Sequence, residues 1–278
     1  MNLHNKTALV TGAASGIGRG IALALARRGC HLALADIDAG GLAETGGQVA
    51  QYPVRRSLHQ LDVCDRAAIA ALPAEVLRHH GQIDIIVNNA GIAAGGTFLQ
   101  VDEKVFDRVL EVNFHAPVRI TRCFLPLLLQ RPEARIVNIS SIYGLISPIE
   151  QTAYSSSKFA LRGFSNALRH ELEGGPVGVT VVHPGGVATN IARNAVLPPG
   201  ASEADVRQRQ ALMEKLLRLP PEKAGELIAR GIERNRARIL VGSDARALAL
   251  LERIAPVHYW KLLRRIAGRA LLKSKTNS

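Results

Sequence analysis

The sequence predicts an α/β protein built on one doubly wound parallel sheet, and three observations predict it. Short apolar runs alternate with helical patterns as far as Gly242, most of those runs lack a polar face, and a glycine-bearing turn follows the first run directly. A strand that is apolar on both faces is one covered by helices on both sides. Right-handed crossovers are the usual way back to a parallel neighbour.

In order, the expected strands are Ala8–Val10, His31–Ile37, a weaker Val54–Leu61, Asp84–Asn88, Arg135–Ile139, Gly178–His183 and Arg238–Val241. Helical patterns lie near Gly18–Arg28, Arg66–His80, Val101–Leu110, Val118–Gln130, Tyr154–Glu173 and Pro221–Asn235. The 278 residues are 47% hydrophobic, enough for one domain over 1–242 with a substantial core. Residues 243–278 are expected to be a basic amphipathic helical extension of the same domain. No run approaches the roughly 18 apolar residues of a membrane-spanning helix. Lys6 leads straight into an expected strand, so no secretory signal is expected there. Cys30, Cys64 and Cys123 are odd in number and lack metal spacing, so they are expected as buried thiols in a reducing cytosol, with no metal site.

In sheets of this kind ligands lie beyond the carboxyl ends of the strands. Thr11-Gly12-Ala13-Ala14-Ser15-Gly16-Ile17-Gly18 joins the first strand to the first helix. Glycine permits the tight turn and lets backbone N–H groups approach a pyrophosphate at the helix N-terminus, as in Rossmann-like folds. The spacing is Gly-x3-Gly-x-Gly, not the general Gly-x-Gly-x2-Gly. The second strand carries Asp36, 18 residues after Gly18. A carboxylate there accepts from the adenosine ribose and repels a 2′-phosphate, and Ile37-Asp38 adds no basic residue beside it, so NAD is favoured over NADP. Asp62-Val63 ends the third strand, where the carboxylate either meets an adenine amino group or caps a helix. Asn88-Asn89-Ala90-Gly91 ends the fourth, with small residues that leave room for adenosine and amides that tie strands together.

Tyr154 and Lys158, four apart on a helix, share a face. An ammonium beside a phenol, helped by a positive nicotinamide ring, stabilises phenolate and lowers a pKa that is ordinarily near 10. Ser141 closes the fifth strand, where its hydroxyl can hold a substrate oxygen. Ser140 is one residue out of step and reads as structural. His183, beside Pro184 at the end of an apolar strand, reads as a buried, hydrogen-bonded histidine and not a base.

Together, Thr11–Gly18, Asp62-Val63, Asn88–Gly91, Asn113, Ser141, Tyr154-x3-Lys158 and Pro184-Gly185-Gly186-Val187-Ala188-Thr189 resemble the short-chain dehydrogenase/reductase family, in its compact single-domain branch, over roughly residues 5–242. The resemblance implies an NAD(H)-dependent oxidoreductase in which Tyr154 exchanges a proton with the substrate oxygen and Ser141 holds that oxygen. It implies that Lys158 binds the nicotinamide ribose and depresses the Tyr154 pKa, and that Asn113 positions a water linking Lys158 to solvent. Thr189 and the backbone near Val187, with Pro184 and Gly185, are implied to hold the carboxamide. A homodimer or homotetramer is expected. The competing functions are an NADPH-dependent ketoreductase of acyl-type substrates, which Asp36 opposes, and a non-catalytic cofactor sensor, which the presence of both Tyr154 and Lys158 opposes.

The substrate side is expected from Ile92–Phe98, Ile142–Gln151 and a mobile lid over 192–219 that includes Leu197, Leu212, Met213, Leu216, Leu217 and Leu219. Ile142, Tyr143 and Ile149 fit either a lipophilic alcohol or ketone or simple packing. The charge points elsewhere. Of a net +12, half falls from Ser243 onward, eight Lys/Arg against two acids. On a helical wheel Tyr259, Trp260, Leu263, Ile266, Ala267, Ala270 and Leu271 oppose Lys261, Arg264, Arg265, Arg269 and Lys273. Such a helix docks on the protein or lies in a membrane interface. Nucleic acid is excluded by the lack of any binding module. The expected location is cytoplasmic, with peripheral membrane contact as the alternative.

Overall fold

A computed structural model describes residues 1–191, 194–197, 207 and 216–265. Seven strands, β1 (Thr7–Thr11), β2 (His31–Asp36), β3 (Arg56–Gln60), β4 (Ile85–Asn88), β5 (Ala134–Ile139), β6 (Val177–Pro184) and β7 (Arg238–Val241), form one sheet in the order β3-β2-β1-β4-β5-β6-β7. Every pairing is parallel, for example Leu9 beside Ala33 and Ile86. Adjacent residues of one strand serve opposite layers. Ala8 and Val10 pack with α1 (Gly16–Ala26) and α7 (Pro221–Glu233), whereas Leu9 packs with α3 (Arg66–His80) and α5 (Ala116–Leu128). Two covered faces explain why β1 and β4 are apolar throughout.

Three departures from the sequence pattern are informative. A helix, α2 (Ala39–Val49), forms where none was expected, despite four glycines in eleven residues. Asp38 caps it by accepting from Gly41 N at 3.0 Å, and Leu42 and Val49 bury themselves against the sheet, which offsets the propensity cost of about 1 kcal/mol per glycine. β3 alternates exposed and buried residues because it is an edge strand, and its pattern is correspondingly weak. Finally, α4 (Glu103–Leu110) and α5 are not separate. A π-helical turn, Glu111–His115, joins them, and single π-turns within α-helices commonly mark functional positions. Asn113 sits in its middle.

Beyond β7 the chain continues into α8 (Ser243–Ile254) and a further helical turn through Arg265. Ala245 and Ala249, with Leu248, Tyr259 and Leu263 of this extension, pack on Ile142, Leu145 and Ile146, just past β5. The Tyr259 hydroxyl accepts from Ser147 N at 2.8 Å. No helix among the described residues is long and apolar enough to cross a membrane.

Candidate active site

The strand order reverses between β1 and β4, which leaves a crevice at their carboxyl ends. The first wall is the turn after β1. Gly12 has φ of 64°, and a Cβ there would lie 2.7 Å from Asn89 Nδ2. A Cβ on Gly18 would lie 2.0 Å from the Gly12 carbonyl oxygen, so only glycine lets helix and turn close on each other. Ser15 precedes α1 in extended conformation and its side chain caps nothing, which leaves the N–H groups of Gly16, Ile17 and Gly18 directed at the crevice. That is an anion-binding arrangement. Thr189 stands across from Gly16, whose Cβ would meet the Thr189 methyl at 3.1 Å.

Asp36 ends β2 beside this turn. Its carboxylate accepts from Ala14 N at 2.8 Å and from Asp38 N at 3.0 Å, which fixes it beside the turn. On the β4 side, Asn89 donates to the carbonyls of Thr11 (2.9 Å) and Gly12 (3.0 Å), while the N–H groups of Asn89 and Ala90 donate to the Thr11 hydroxyl. Asn88 donates to Asn138 and Thr121, so these amides tie strand to strand, one of the roles their positions suggested. Asp62 accepts from Cys64 N, the main reason its carboxyl sits below the usual range, and pairs with Arg108 at 3.2 Å. It does not cap α3. Asp65 does, accepting from Ala67 and Ala68 N. Val63 is buried next to Asp62.

The second half of the site is built on α6 (Thr152–Glu171) and the end of β5. Tyr154 and Lys158 are both buried on one face of α6, with Lys158 Nζ 5.6 Å from the phenol ring centroid. Lys158 Nζ donates to the Ile139 carbonyl at 3.1 Å, and burial draws its pKa down to about 8. Burial pushes Tyr154 the other way, to about 12, against a hydrogen bond from Ser141 that favours the phenolate. In the chain alone, therefore, desolvation outweighs anything Lys158 supplies, and the lowered phenol pKa expected from the sequence is not seen. Ser141, extended at φ −161°, also accepts from Tyr143 N at 3.1 Å, and the Tyr143 ring stands edge-on to Tyr154 at 6.1 Å. Ser140 points away and donates to the Lys158 carbonyl, a structural role.

Asn113 reaches this group from the π-turn. Its side chain accepts from Ile92 N and donates to Ile92 O, both at 2.9 Å, and to the Ser157 hydroxyl at 3.0 Å. A Cβ on Gly91 would fall 3.1 Å from Asn113 Oδ1 and 3.4 Å from Lys158 Nζ, so Gly91, Asn113 and Lys158 meet at one point. His183 is fully buried and, as its surroundings suggested, hydrogen-bonded. Its Nδ1–H donates to the Ser141 carbonyl at 2.8 Å, and burial holds its pKa near 4, so it is neutral at pH 7. The Pro184-Gly185-Gly186 turn is held by a residue that sequence reasoning overlooked. Asp244 accepts from Gly186 N at 2.6 Å, and its carboxylate occupies the space a Cβ on Gly185 would take. The available signal was an acidic residue in the first turn of a helix, a common pattern with no pointer to a distant partner. Val187 is buried and bridges to Leu219.

On the substrate side Ile142 is buried against the extension whereas Ile149 is largely exposed. Leu212 and Met213 of the expected lid lie outside the described residues, as do Ile266, Ala267, Arg269, Ala270, Leu271 and Lys273 of the expected amphipathic stripe.

The short chain dehydrogenase family profile matches residues 6–198. A Mycobacterium tuberculosis protein named as an oxidoreductase, SadH, is 38% identical over 94% of this chain and 95% of its own. The Bos taurus dehydrogenase/reductase SDR family member 7B is 31% identical over 99% of this chain and 84% of its own. Among solved structures, a short chain dehydrogenase/reductase from Burkholderia phymatum in complex with NAD superposes with a TM-score of 0.84 at 29% identity, over 92% of this chain and 95% of the other. A short-chain dehydrogenase from Streptomyces avermitilis gives 0.79 at 31% identity, over 94% and 98%.

Proposed function

The chain belongs to the short-chain dehydrogenase/reductase family of oxidoreductases, and from that premise we propose that it interconverts a secondary, lipophilic alcohol and its ketone with NAD(H). The reading is carried by one observation: the buried Tyr154 and Lys158 converge with a half-buried Ser141 at the open end of a crevice whose other end holds an anion-binding turn and Asp36. The residues fit the dinucleotide. The Gly16, Ile17 and Gly18 amides suit a pyrophosphate, Asp36 a ribose diol, Asp62 and Val63 an adenine edge, and Asn89, Ala90 and Gly91 the adenosine half. Pro184, Gly185, Val187 and Thr189 suit the carboxamide end. The similar Burkholderia protein holds NAD, and the Asp36 carboxylate disfavours a 2′-phosphate, which is also the argument against an NADPH-dependent acyl ketoreductase.

When bound, the nicotinamide supplies or accepts the hydride. The chain manages the proton. Tyr154 gives its proton to the carbonyl oxygen in reduction and takes it from the alcohol in oxidation, while Ser141 donates a hydrogen bond to that oxygen as charge develops. A phenol held near 12 keeps its proton at neutral pH but is a weaker acid than an unperturbed one, so burial opposes proton transfer in both directions. Oxidation needs more positive charge than Lys158 alone provides, and the oxidised cofactor brings it. Lys158 binds the nicotinamide ribose, and Asn113 holds the end of a water path to it. The assembly is a homodimer or homotetramer in the cytoplasm.

The test is turnover with NAD⁺ against a panel of aliphatic, steroid and retinoid alcohols. Tyr154→Phe removes only the proton route, so it is expected to lose at least ~100-fold in kcat, the ordinary scale of general acid–base catalysis, with NADH binding intact. A variant that keeps more than a tenth of the rate, or a chain that keeps NADH bound and turns nothing over, refutes the reading; the second outcome favours a cofactor sensor.

A further inference from the structure

We propose that the C-terminal extension, with the rim of the substrate side beside it, seats on an anionic membrane surface and so presents the site entrance to lipid. The proposal takes only its lipophilic substrate from the reading above. Tyr259 and Leu263, two of the seven residues of the apolar stripe that either docks on the protein or faces lipid, face inward, on Ile142, Leu145 and Ile146. The face left outward is a different one. On α8, Arg246, Leu250, Arg253 and Ile254 are exposed while Ala245, Leu248 and Ala249 are turned to the protein. Ile254 is 73% and Val257 79% exposed, and neither packs in any apolar cluster of the described residues.

The rim continues this face. Ser147 N is bonded to Tyr259, two residues from Val257, and Ile149 lies two residues further along with 66% of its surface exposed. Gly96 N donates to the Glu150 carbonyl, which brings the Phe98-Leu99 tip alongside; Leu99 is 93% exposed. Large apolar side chains this open, grouped at one mouth, mark a surface that something covers.

The charge on the same segment says what covers it. Arg246, Arg253, Lys261, Arg264 and Arg265 are all exposed, against Glu252 and an Asp244 already engaged by Gly186 N. In a two-fold dimer a patch meets its own copy, and this one would set arginine against arginine. A surface of anionic head groups over hydrocarbon matches both features, since basic side chains are attracted to it and apolar ones enter it. Trp260, half-buried between the inward and outward faces, is the residue type favoured at such a boundary.

The experiment is flotation of the full chain with vesicles of phosphatidylcholine alone or mixed with phosphatidylglycerol, in low and raised salt. The protein is expected to float only with the anionic vesicles, at least ~10-fold more tightly, and to release as salt screens the attraction. Lys261→Glu/Arg264→Glu/Arg265→Glu is expected to weaken binding by ~100-fold or more, and Ile254→Asp/Val257→Asp by ~10-fold or more. Thermal melting confirms that each variant folds, and a melting point unchanged from the parent is expected because these side chains contact solvent. The proposal is overturned if the parent does not float with anionic vesicles. It is overturned equally if the Ile254/Val257 variant floats as well as the parent, which would be mere adsorption of a basic protein. It is also overturned if that variant instead loses a subunit, which would assign the face to a second copy. Flotation needs no turnover, so a failure here and a failure of the oxidoreductase reading register separately.

Discussion

Replacing Lys158 by methionine is expected to stabilise the protein while it destroys the chemistry. The ammonium is 3% exposed, donates to one carbonyl at 3.1 Å, and among the described residues has no carboxylate partner. Burial takes its pKa from 10.5 to about 8. That difference corresponds to about 3 kcal/mol of folding free energy withheld at neutral pH. Methionine keeps much of the apolar stem and removes the charge, but leaves the Ile139 carbonyl without its donor, at a cost of about 1–2 kcal/mol. The net is about 1–2 kcal/mol in favour of the variant, a melting-point rise of roughly 2–8 °C for a chain of this size. The pH dependence carries the sign. The folded lysine releases its proton near 8 and the unfolded one near 10.5, so between those values the unfolded chain holds more protons and wild-type stability climbs with pH. The variant's advantage is therefore complete below about pH 8 and disappears towards about pH 10. Tyr154, present in both proteins, leaves the comparison unaffected there. Urea unfolding of the two proteins at about pH 7 and about pH 9.5 measures the effect. A variant less stable than wild type at neutral pH, or a gap that does not change with pH, refutes the reasoning.

Two further outcomes follow from the same geometry. NAD(H) should bind at least ~10-fold more tightly than NADP(H), and Asp36→Ala should narrow that gap mainly by improving NADP(H); fluorescence titration of both cofactors checks it, and equal affinities in the parent protein exclude the role given to Asp36. His183→Leu removes one of the two donors to the buried Ser141 carbonyl, which keeps Gly144 N at 2.9 Å, and should cost about 0.5–1.5 kcal/mol, whereas His183→Asn, which can place an N–H where Nδ1–H lies, should recover most of it in denaturant titrations.

Legibility differed from place to place for identifiable reasons. The core strands were plain because two covered faces make a local, unbroken apolar run, as in Ile85–Asn88. Tyr154 and Lys158 were plain because helical spacing alone puts them on one face. The glycine-rich α2 was not, since its stability comes from packing on strands distant in sequence, and local propensity argues against it. The π-turn at Asn113 was read as a gap between two helices, because the hydrogen bonds to Ile92 that employ its side chain come from another segment.

What the sequence determined by itself was therefore the alternation of elements, the glycine-rich turn after β1 and the identity of the residues at each strand end. Those are properties of neighbours along the chain. What only the tertiary structure decided was which partner each polar group takes and which face of a helix is covered: Asp65 rather than Asp62 at the α3 cap, Asp244 on Gly186, Tyr259 inward and Ile254 outward. The direction of the Tyr154 pKa belongs to the same class. An ammonium four residues away argues for a lower value, but desolvation depends on everything packed around the phenol, and that packing is assembled from the whole chain.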